Sequence, residues 1–262
     1  MTYQVYNQDC VPGMQEHVAT ASVDLIFTDP PYGIKGADLD THYNRDHTRV
    51  IGGYIDVPQE RYGQWCERWI QECERVLRPG GSMYVVSGYT NLHHVLNALH
   101  ASGLQEINHI IAQYSFGVYT KRKWVSSHYH VLFWARPETA KQRRTFRTYC
   151  RHGTTADSYR DRLTVQPLTR RYQTGQMRNN NQLPEEFVRK FIDYSSNPGD
   201  LVLDPFAGSF STGRAALALS RRFVGFEMNS QAYEHFAPAL NLDTPGDFSG
   251  AARQPDPLAG TK

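Results

Sequence analysis

Apolar residues along the chain fall into short runs, separated by stretches in which they recur at helical spacing. Val23-Asp24-Leu25-Ile26-Phe27 is one such run, cut off at Thr28-Asp29-Pro30-Pro31-Tyr32-Gly33. It predicts a buried strand of a parallel sheet, stopped by two prolines. Over 62–77, Trp65, Trp69, Ile70, Val76 and Leu77 share one face of a predicted helix, and Arg78-Pro79-Gly80-Gly81 predicts its end. A strand over 82–87, an amphipathic helix over 92–104 and strands over 109–114 and 129–135 follow. Beyond an irregular region the order resumes with a helix over 184–196 and a strand over 201–203. A small-residue turn over 204–213, a helix over 214–219, a strand over 222–226 and a helix over 230–240 complete it. Strands alternating with helices predict an α/β fold with a mostly parallel sheet and helices on both faces. No internal repeat is present.

Composition narrows the class. At 262 residues with 40% hydrophobic positions, the chain can bury a sizeable core as one large domain, or one domain with an appendage. No apolar run reaches the length of a membrane span. Residues 1–10 are polar and lack the apolar core of a signal peptide, so a cytoplasmic protein is expected. The four cysteines, Cys10, Cys66, Cys73 and Cys150, form no CxxC pair, and no HExxH occurs among the histidines. Reduced thiols and no metal are the expectation.

Net charge is +2, which at first argues against a nucleic-acid partner. The charge is unevenly placed. Residues 141–178 hold ten basic residues, nine of them arginine, against Asp157 and Asp161, so this stretch carries +8 and the remainder −6. Tyr149, Tyr159 and Tyr172 are interleaved. A strongly basic arm on an acidic body suits contact with duplex nucleic acid at one segment, and arginine suits bidentate contacts to guanine or phosphate.

Two motifs carry candidate chemistry. Asp29-Pro30-Pro31-Tyr32 falls at the carboxyl end of a predicted parallel strand, where open α/β sheets bind ligands. The prolines fix φ and remove donors, so neighbouring carbonyls stand as rigid acceptors. Asp29 adds a carboxylate and Tyr32 a flat aromatic face. Two acceptors beside a stacking platform suit the exocyclic amino group of a planar base. A plain strand stop with Asp29 capping a turn is the simpler alternative. The second motif runs from the strand 201–203 through Asp204-Pro205-Phe206-Ala207-Gly208-Ser209 into a helix. Small residues there allow close approach of a ligand to backbone, but neither GxxxxGK[ST] nor GxGxxG is present. Glu227 ends the next strand, at a spacing that suits acceptance of ribose hydroxyls.

Together Thr28-Asp-Pro-Pro-Tyr-Gly33, Asp204-Pro-Phe-Ala-Gly-Ser209 and Arg222-Phe-Val-Gly-Phe-Glu227 resemble the S-adenosylmethionine-dependent amino-DNA methyltransferases, which methylate adenine N6 or cytosine N4. The catalytic motif precedes the cofactor motif, as in the permuted β group, and the resemblance runs from about residue 3 to 240. It implies a Rossmann-like methyltransferase fold with a catalytic half at 1–138, a basic target-recognition insert at 139–182, a cofactor half at 183–240 and a disordered tail at 241–262. It implies S-adenosyl-L-methionine as cofactor, S-adenosylhomocysteine as product and no metal. Asp29, Pro30, Pro31 and Tyr32 become the catalytic residues. Asp9, Cys10, Asp29, Asp204, Pro205, Phe206, Ala207, Gly208, Ser209, Glu227 and Met228 become the cofactor-binding residues. Lys121, Arg122, Lys123, Trp124 and His128, with Arg143, Arg144, Arg147, Arg151, Arg160, Arg162, Arg170, Arg171 and Arg178, become the DNA-binding residues. Duplex DNA is the implied partner, and a homodimer, a cognate restriction endonuclease and nucleoid association are compatible with it.

The implied reaction is direct transfer to a flipped base. Tyr32 stacks on that base, while the Asp29 carboxylate and Pro30 carbonyl accept from its amino group. A carboxylate at position 29 is the form usual for adenine N6, with cytosine N4 the alternative. The same chemistry on RNA or on a protein glutamine, and a catalytically inactive DNA-binding relative, are further alternatives. Two departures from the family pattern bear on the last one. Phe210 stands where the turn usually has a second glycine, so its side chain is expected to crowd the methionine end of the cofactor or to strain the backbone if φ is positive. Leu183-Pro184 replaces the usual Lys-Pro and removes a cation near the cofactor carboxylate.

Overall fold

In a computed structural model of the chain, residues 2–33, 57–114, 121–148, 158–169 and 182–241 are described. They build an eight-stranded mixed sheet in the order β1-β8-β7-β2-β3-β5-β4-β6. The strands are β1 (Tyr3–Tyr6), β2 (Val23–Thr28), β3 (Leu77–Ser87), β4 (Gln105–Gln113), β5 (His128–Ala135), β6 (Val165–Pro167), β7 (Leu201–Asp204) and β8 (Arg222–Phe226). The helices are α1 (Cys10–His17), α2 (Gln59–Val76), α3 (Leu92–Ala101), α4 (Ser158–Asp161), α5 (Glu185–Ser195), α6 (Ser211–Ala218) and α7 (Ser230–Phe236), followed by a 3-10 turn, Ala237–Asn241.

Strands β1, β8, β7, β2 and β3 run parallel. Their carboxyl ends therefore share one edge of the sheet. One face of the sheet is covered by α1, α2 and α3, whose Met14, Trp69, Ile70 and Leu99 are fully buried with Ile26 and Met83. The other face is covered by α5 and α6, which bury Phe191, Ile192, Ala215 and Ala216 against Phe27, Tyr84 and Phe223. Burial on both faces explains the apolar stretch Leu25-Ile26-Phe27 of β2, while Asp24, half-buried, pairs with Arg78. The α/β expectation holds, with a mostly parallel sheet between two helical layers.

Four local expectations change. Strand β1 and helix α1 occupy the amino-terminal stretch that looked merely polar. β1 is a short strand at the sheet margin with half-exposed side chains, and α1 packs so closely that a Cβ at Gly13 would sit 2.5 Å from the Phe226 ring. The helix ends within one residue of the expected place, but Arg78-Pro79-Gly80-Gly81 is not a turn outside the sheet. α2 stops at Val76 and these residues belong to β3, where the register against β2 jumps from Val23↔Leu77 to Leu25↔Ser82. The Pro-Gly-Gly stretch is thus a bulge at the entry to the strand. The basic insert contributes to the sheet, since Val165–Pro167 pairs with Ile111–Gln113 of β4. Helix α6 begins at Ser211, three residues ahead of expectation. The tail beyond 241 lies outside the described residues.

Candidate active site

Strand ends bring the two sequence motifs together. β2 delivers Asp29 beside Asp204 at the end of β7, and β8, on the other side of β7, ends at Glu227 beside Asp204. Thr28 Oγ1 donates to Asp204 Oδ1 at 2.8 Å, and the Phe206 amide donates to the same oxygen at 3.1 Å. Glu227 accepts from the Gly208 amide at 2.8 Å and from the Asn229 amide at 2.7 Å. Asn7, at the end of β1, donates to the Glu227 carbonyl at 2.8 Å. The edge is therefore rich in carboxylates held by backbone amides and hydroxyls.

Burial raises all three acids. Asp29 is pushed up to about 7, first by desolvation, with the Asp204 charge adding to it and the Tyr32 hydroxyl opposing it. Asp204 is pushed up to about 6 by desolvation and the Glu227 charge, against hydrogen bonds from Thr212, Thr28 and the Phe206 amide. Glu227 is raised by desolvation. Among the described residues none of the three forms an ion pair. Such a set suits a cationic ligand, and a sulfonium carrying an amino-acid group fits that requirement.

The Asp-Pro-Pro-Tyr segment is a closed, well-braced turn. Tyr32 Oη donates to Asp29 Oδ1 at 2.7 Å. Tyr62 of α2 donates to the Pro31 carbonyl at 2.7 Å, and Asn91 donates to the Tyr32 carbonyl at 2.7 Å and to Gly33 at 3.2 Å. Among the described residues, no donor meets Asp29 Oδ2 or the Pro30 carbonyl. The Tyr32 ring lies against Gly88, where a Cβ would come within 3.3 Å, and faces Tyr129 at 6.2 Å between centroids. Tyr129 in turn meets Tyr114 at 4.9 Å. Tyr62, Asn91 and Tyr114 carried no expectation from the sequence, whereas Tyr129 belongs to His128-Tyr129-His130-Val131, which resembles the family's segment that helps to hold the target base. Tyr114 and Tyr129 flank the β4–β5 connection.

The remaining cofactor candidates divide. Pro205, Ala207 and Ser209 are buried, Gly208 takes φ +51, and Phe206 packs edge-on against Trp69 and beside Trp65, both at 5.3 Å. Met228 is exposed. Asp9 caps α1 by accepting from the Val11 amide at 2.8 Å. Cys10 is largely buried, its thiol raised by desolvation. Phe210 does adopt a left-handed conformation, φ 58 and ψ 30, so the backbone strain is real. Its ring does not crowd the turn. It is fully buried on the α5–α6 face, edge-on to Tyr233 at 6.2 Å. Leu183 likewise joins that core.

The candidate DNA residues stand at two edges. Lys121, Arg122, Lys123, Trp124 and His128 lie exposed on the β4–β5 connection at the carboxyl edge, with Trp124 95% exposed. Arg160 and Arg162 are exposed just before β6, which pairs with the carboxyl end of β4. Arg143, Arg144 and Arg147 belong to the opposite edge. β5 runs antiparallel to β3, Ser87↔His130 to Ser82↔Ala135, and carries the chain away from Asp29. There Arg143 pairs with Glu138 at 2.9 Å, Arg144 covers the Phe133 ring at 5.4 Å, and Arg147 pairs with Asp193 at 2.8 Å. Arg144 and Arg147 tie the segment to the body, while the Arg143 side chain stays largely exposed and pairs within its own stretch. Arg151, Arg170, Arg171 and Arg178 lie outside the described residues.

Comparison with known proteins agrees with this geometry. Residues 23–238 match the DNA methylase family of N6/N4 methyltransferases. The chain belongs to that family. It is 32% identical over 239 residues to the DNA adenine methyltransferase YhdJ of Escherichia coli K12, across 82% of this chain and 74% of the other. It is 28% identical to the type II methyltransferase M.BamHI of Bacillus amyloliquefaciens over 87% of this chain, but spans only 55% of that relative's length. To M.HinfI of Haemophilus influenzae it is 26% identical, across 84% of this chain and 63% of that one. Its fold is shared with TTHA0409 of Thermus thermophilus in complex with S-adenosyl-L-methionine, at TM-score 0.67, 20% identity and 94% and 96% coverage. It is also shared with the PvuII cytosine-N4-specific DNA methyltransferase, at TM-score 0.66, 16% identity and 92% coverage of each.

Proposed function

We propose that the chain methylates the exocyclic N6 of an adenine flipped out of duplex DNA, using S-adenosyl-L-methionine and releasing S-adenosylhomocysteine. The observation that carries this is the pair of acceptors at the end of β2, Asp29 Oδ2 and the Pro30 carbonyl, which no described donor engages and which lie beside the Tyr32 ring. An amino group has two hydrogens to donate, and these two acceptors suit them. The relative that is 32% identical is named an adenine methyltransferase, which favours adenine over cytosine.

When bound, the cofactor supplies an electrophilic methyl on a sulfonium, which the carboxylates of Asp29, Asp204 and Glu227 attract. Asp29 and Pro30 orient the amino group so that its lone pair faces that methyl. They also offset the positive charge that grows on nitrogen. One carbon–nitrogen bond forms as one carbon–sulfur bond breaks, and the surplus proton leaves the nitrogen toward Asp29 Oδ2. Tyr32 holds the base plane. Lys121, Arg122, Lys123 and Trp124, with Arg160 and Arg162, supply the DNA face, and the segment 139–182 is its recognition part. Because two relatives are named type II methyltransferases, a cognate endonuclease is the proposed partner.

Single-molecule sequencing of DNA from a non-modifying host expressing the chain tests the reading. N6-methyladenine in one sequence context, lost with Asp29→Ala, is expected. N4-methylcytosine instead overturns the choice of base, and unmodified DNA in cells holding folded protein overturns the activity.

A further inference from the structure

The Asp-Pro-Pro-Tyr turn presents three consecutive carbonyls after Asp29, and the fold engages two of them. Tyr62 lies one turn into α2, is 1% exposed, and its hydroxyl is directed to the Pro31 carbonyl at 2.7 Å. Asn91, 3% exposed, directs its amide to the Tyr32 carbonyl at 2.7 Å and to Gly33 at 3.2 Å. Gly33 sits between them at φ +65, and a Cβ there would lie 2.6 Å from the Tyr62 ring and 2.8 Å from the Asn91 amide. Only glycine lets both side chains reach the turn.

Asn91 breaks a local rule to do this. It occupies the N-cap of α3, a position where an asparagine oxygen ordinarily accepts from the helix's first amides. Here it makes no cap hydrogen bond, and its Oδ1 is buried with no partner among the described residues. A buried unpaired oxygen and an uncapped helix both destabilise the fold. A side chain kept at such a position, with its amide turned to a functional turn, points to a role in that turn.

We infer that Tyr62 and Asn91 are positioning residues that select the acceptor: by engaging the Pro31 and Tyr32 carbonyls they leave the Pro30 carbonyl as the backbone oxygen offered to the target amino group. The inference rests on the proposed methyl transfer to an exocyclic amine. Neither residue touches the base or the cofactor. They hold the turn so that Asp29 Oδ2 and the Pro30 oxygen keep one spacing, and a freed Pro31 carbonyl would let the turn shift and misalign the nitrogen.

The test uses full-length Tyr62→Phe and Asn91→Ser with tritiated S-adenosyl-L-methionine and unmethylated genomic DNA. Phenylalanine removes one hydroxyl and keeps the ring. Serine removes the amide but remains a good N-cap, so α3 can gain the cap it lacks. For each, kcat is expected to fall about tenfold, the factor that corresponds to one hydrogen bond's net worth. KM for DNA and the S-adenosyl-L-methionine Kd by calorimetry are expected to hold within about twofold. Asn91→Ser is expected to keep its Tm while losing rate, a split that a merely structural residue does not give. Wild-type kcat in both folded variants overturns the inference. Wild-type protein that transfers no label to any DNA overturns the proposed function, and the inference with it.

Discussion

Thr28 and Asp204 stand 176 positions apart in the chain and share a 2.8 Å hydrogen bond, from the threonine hydroxyl to the carboxylate. This bond ties the end of β2, with its Asp-Pro-Pro-Tyr turn, to the end of β7, with the turn proposed to bind the cofactor. Thr28→Val keeps the shape and removes the donor. Asp204 then loses one of the groups that hold its pKa down, so its carboxylate protonates more readily near neutrality. Cofactor affinity is expected to weaken several-fold, and more at pH 6 than at pH 8. Titration calorimetry at the two pH values checks it, and equal Kd values for variant and wild type at both would remove the link.

Both halves of that relationship were legible in sequence, because each motif is a short string at a strand end. Their adjacency was not written locally, since it follows from β2 and β7 pairing across the sheet. The same holds for the braces, Tyr62 inside one helix and Asn91 just ahead of another, neither carrying a signal by sequence. The basic insert was legible as composition and misleading as geometry. Nothing in 129–135 announces that β5 is antiparallel, yet that reversal sends Arg143, Arg144 and Arg147 to the far edge. Phe210 was legible as strained but its direction was not, because one backbone turn decides whether the ring meets ligand or core.

Asp29 should impose a pH profile. Its carboxyl is pushed up to about 7, and the ionised form is the better acceptor for an amino group. Single-turnover methyl transfer at saturating substrates is expected to rise with pH through about 7 and level above it. Stability moves the other way. A carboxyl whose pKa is raised by folding is protonated in the native state while already ionised in the unfolded one, so the folded protein loses stability as pH climbs from the usual carboxylate range through about 7. Asn in place of Asp29 should remove the rise of the rate through about 7, lower the rate by about 10²-fold or more, and make the stability slope shallower, leaving the part that Asp204 and Glu227 contribute, so that Tm rises above pH 7. Scanning calorimetry beside rapid-quench kinetics reads the two effects together.

Phe210 offers a separation of stability from binding. Phe210→Gly relieves a left-handed φ, worth about 1–3 kcal/mol, but empties a fully buried ring site, which costs about 3–5 kcal/mol. Net destabilisation of about 2 kcal/mol is expected, with the S-adenosyl-L-methionine Kd unchanged because the ring faces Tyr233 and the α5–α6 core. A large change in Kd without a change in denaturation midpoint would instead place the ring at the cofactor.

The two groups of basic residues should behave differently toward DNA. Lys121, Arg122 and Lys123 lie exposed on the connection that begins at Tyr114 and ends at Tyr129, and Tyr129 faces the Tyr32 ring. Under the proposed function, charge there meets a duplex whose target base enters beside Tyr32. Replacing all three by alanine is expected to weaken DNA binding and to lower the magnitude of the slope of log K against log salt by about 2–3, close to one unit for every phosphate left without its cation. Arg147 is fixed by its 2.8 Å pair with Asp193, and its amide donates to the Tyr194 carbonyl at 2.7 Å. Arg147→Ala leaves Asp193 with Arg221 at 3.3 Å as a remaining partner, so the loss is partial. A fall in stability of about 1–2 kcal/mol is expected, with the salt slope unchanged. Fluorescence anisotropy over a salt series distinguishes the two variants. If Arg147→Ala flattened the slope and the triple variant did not, the DNA face would lie on the amino edge of the sheet, away from Asp29.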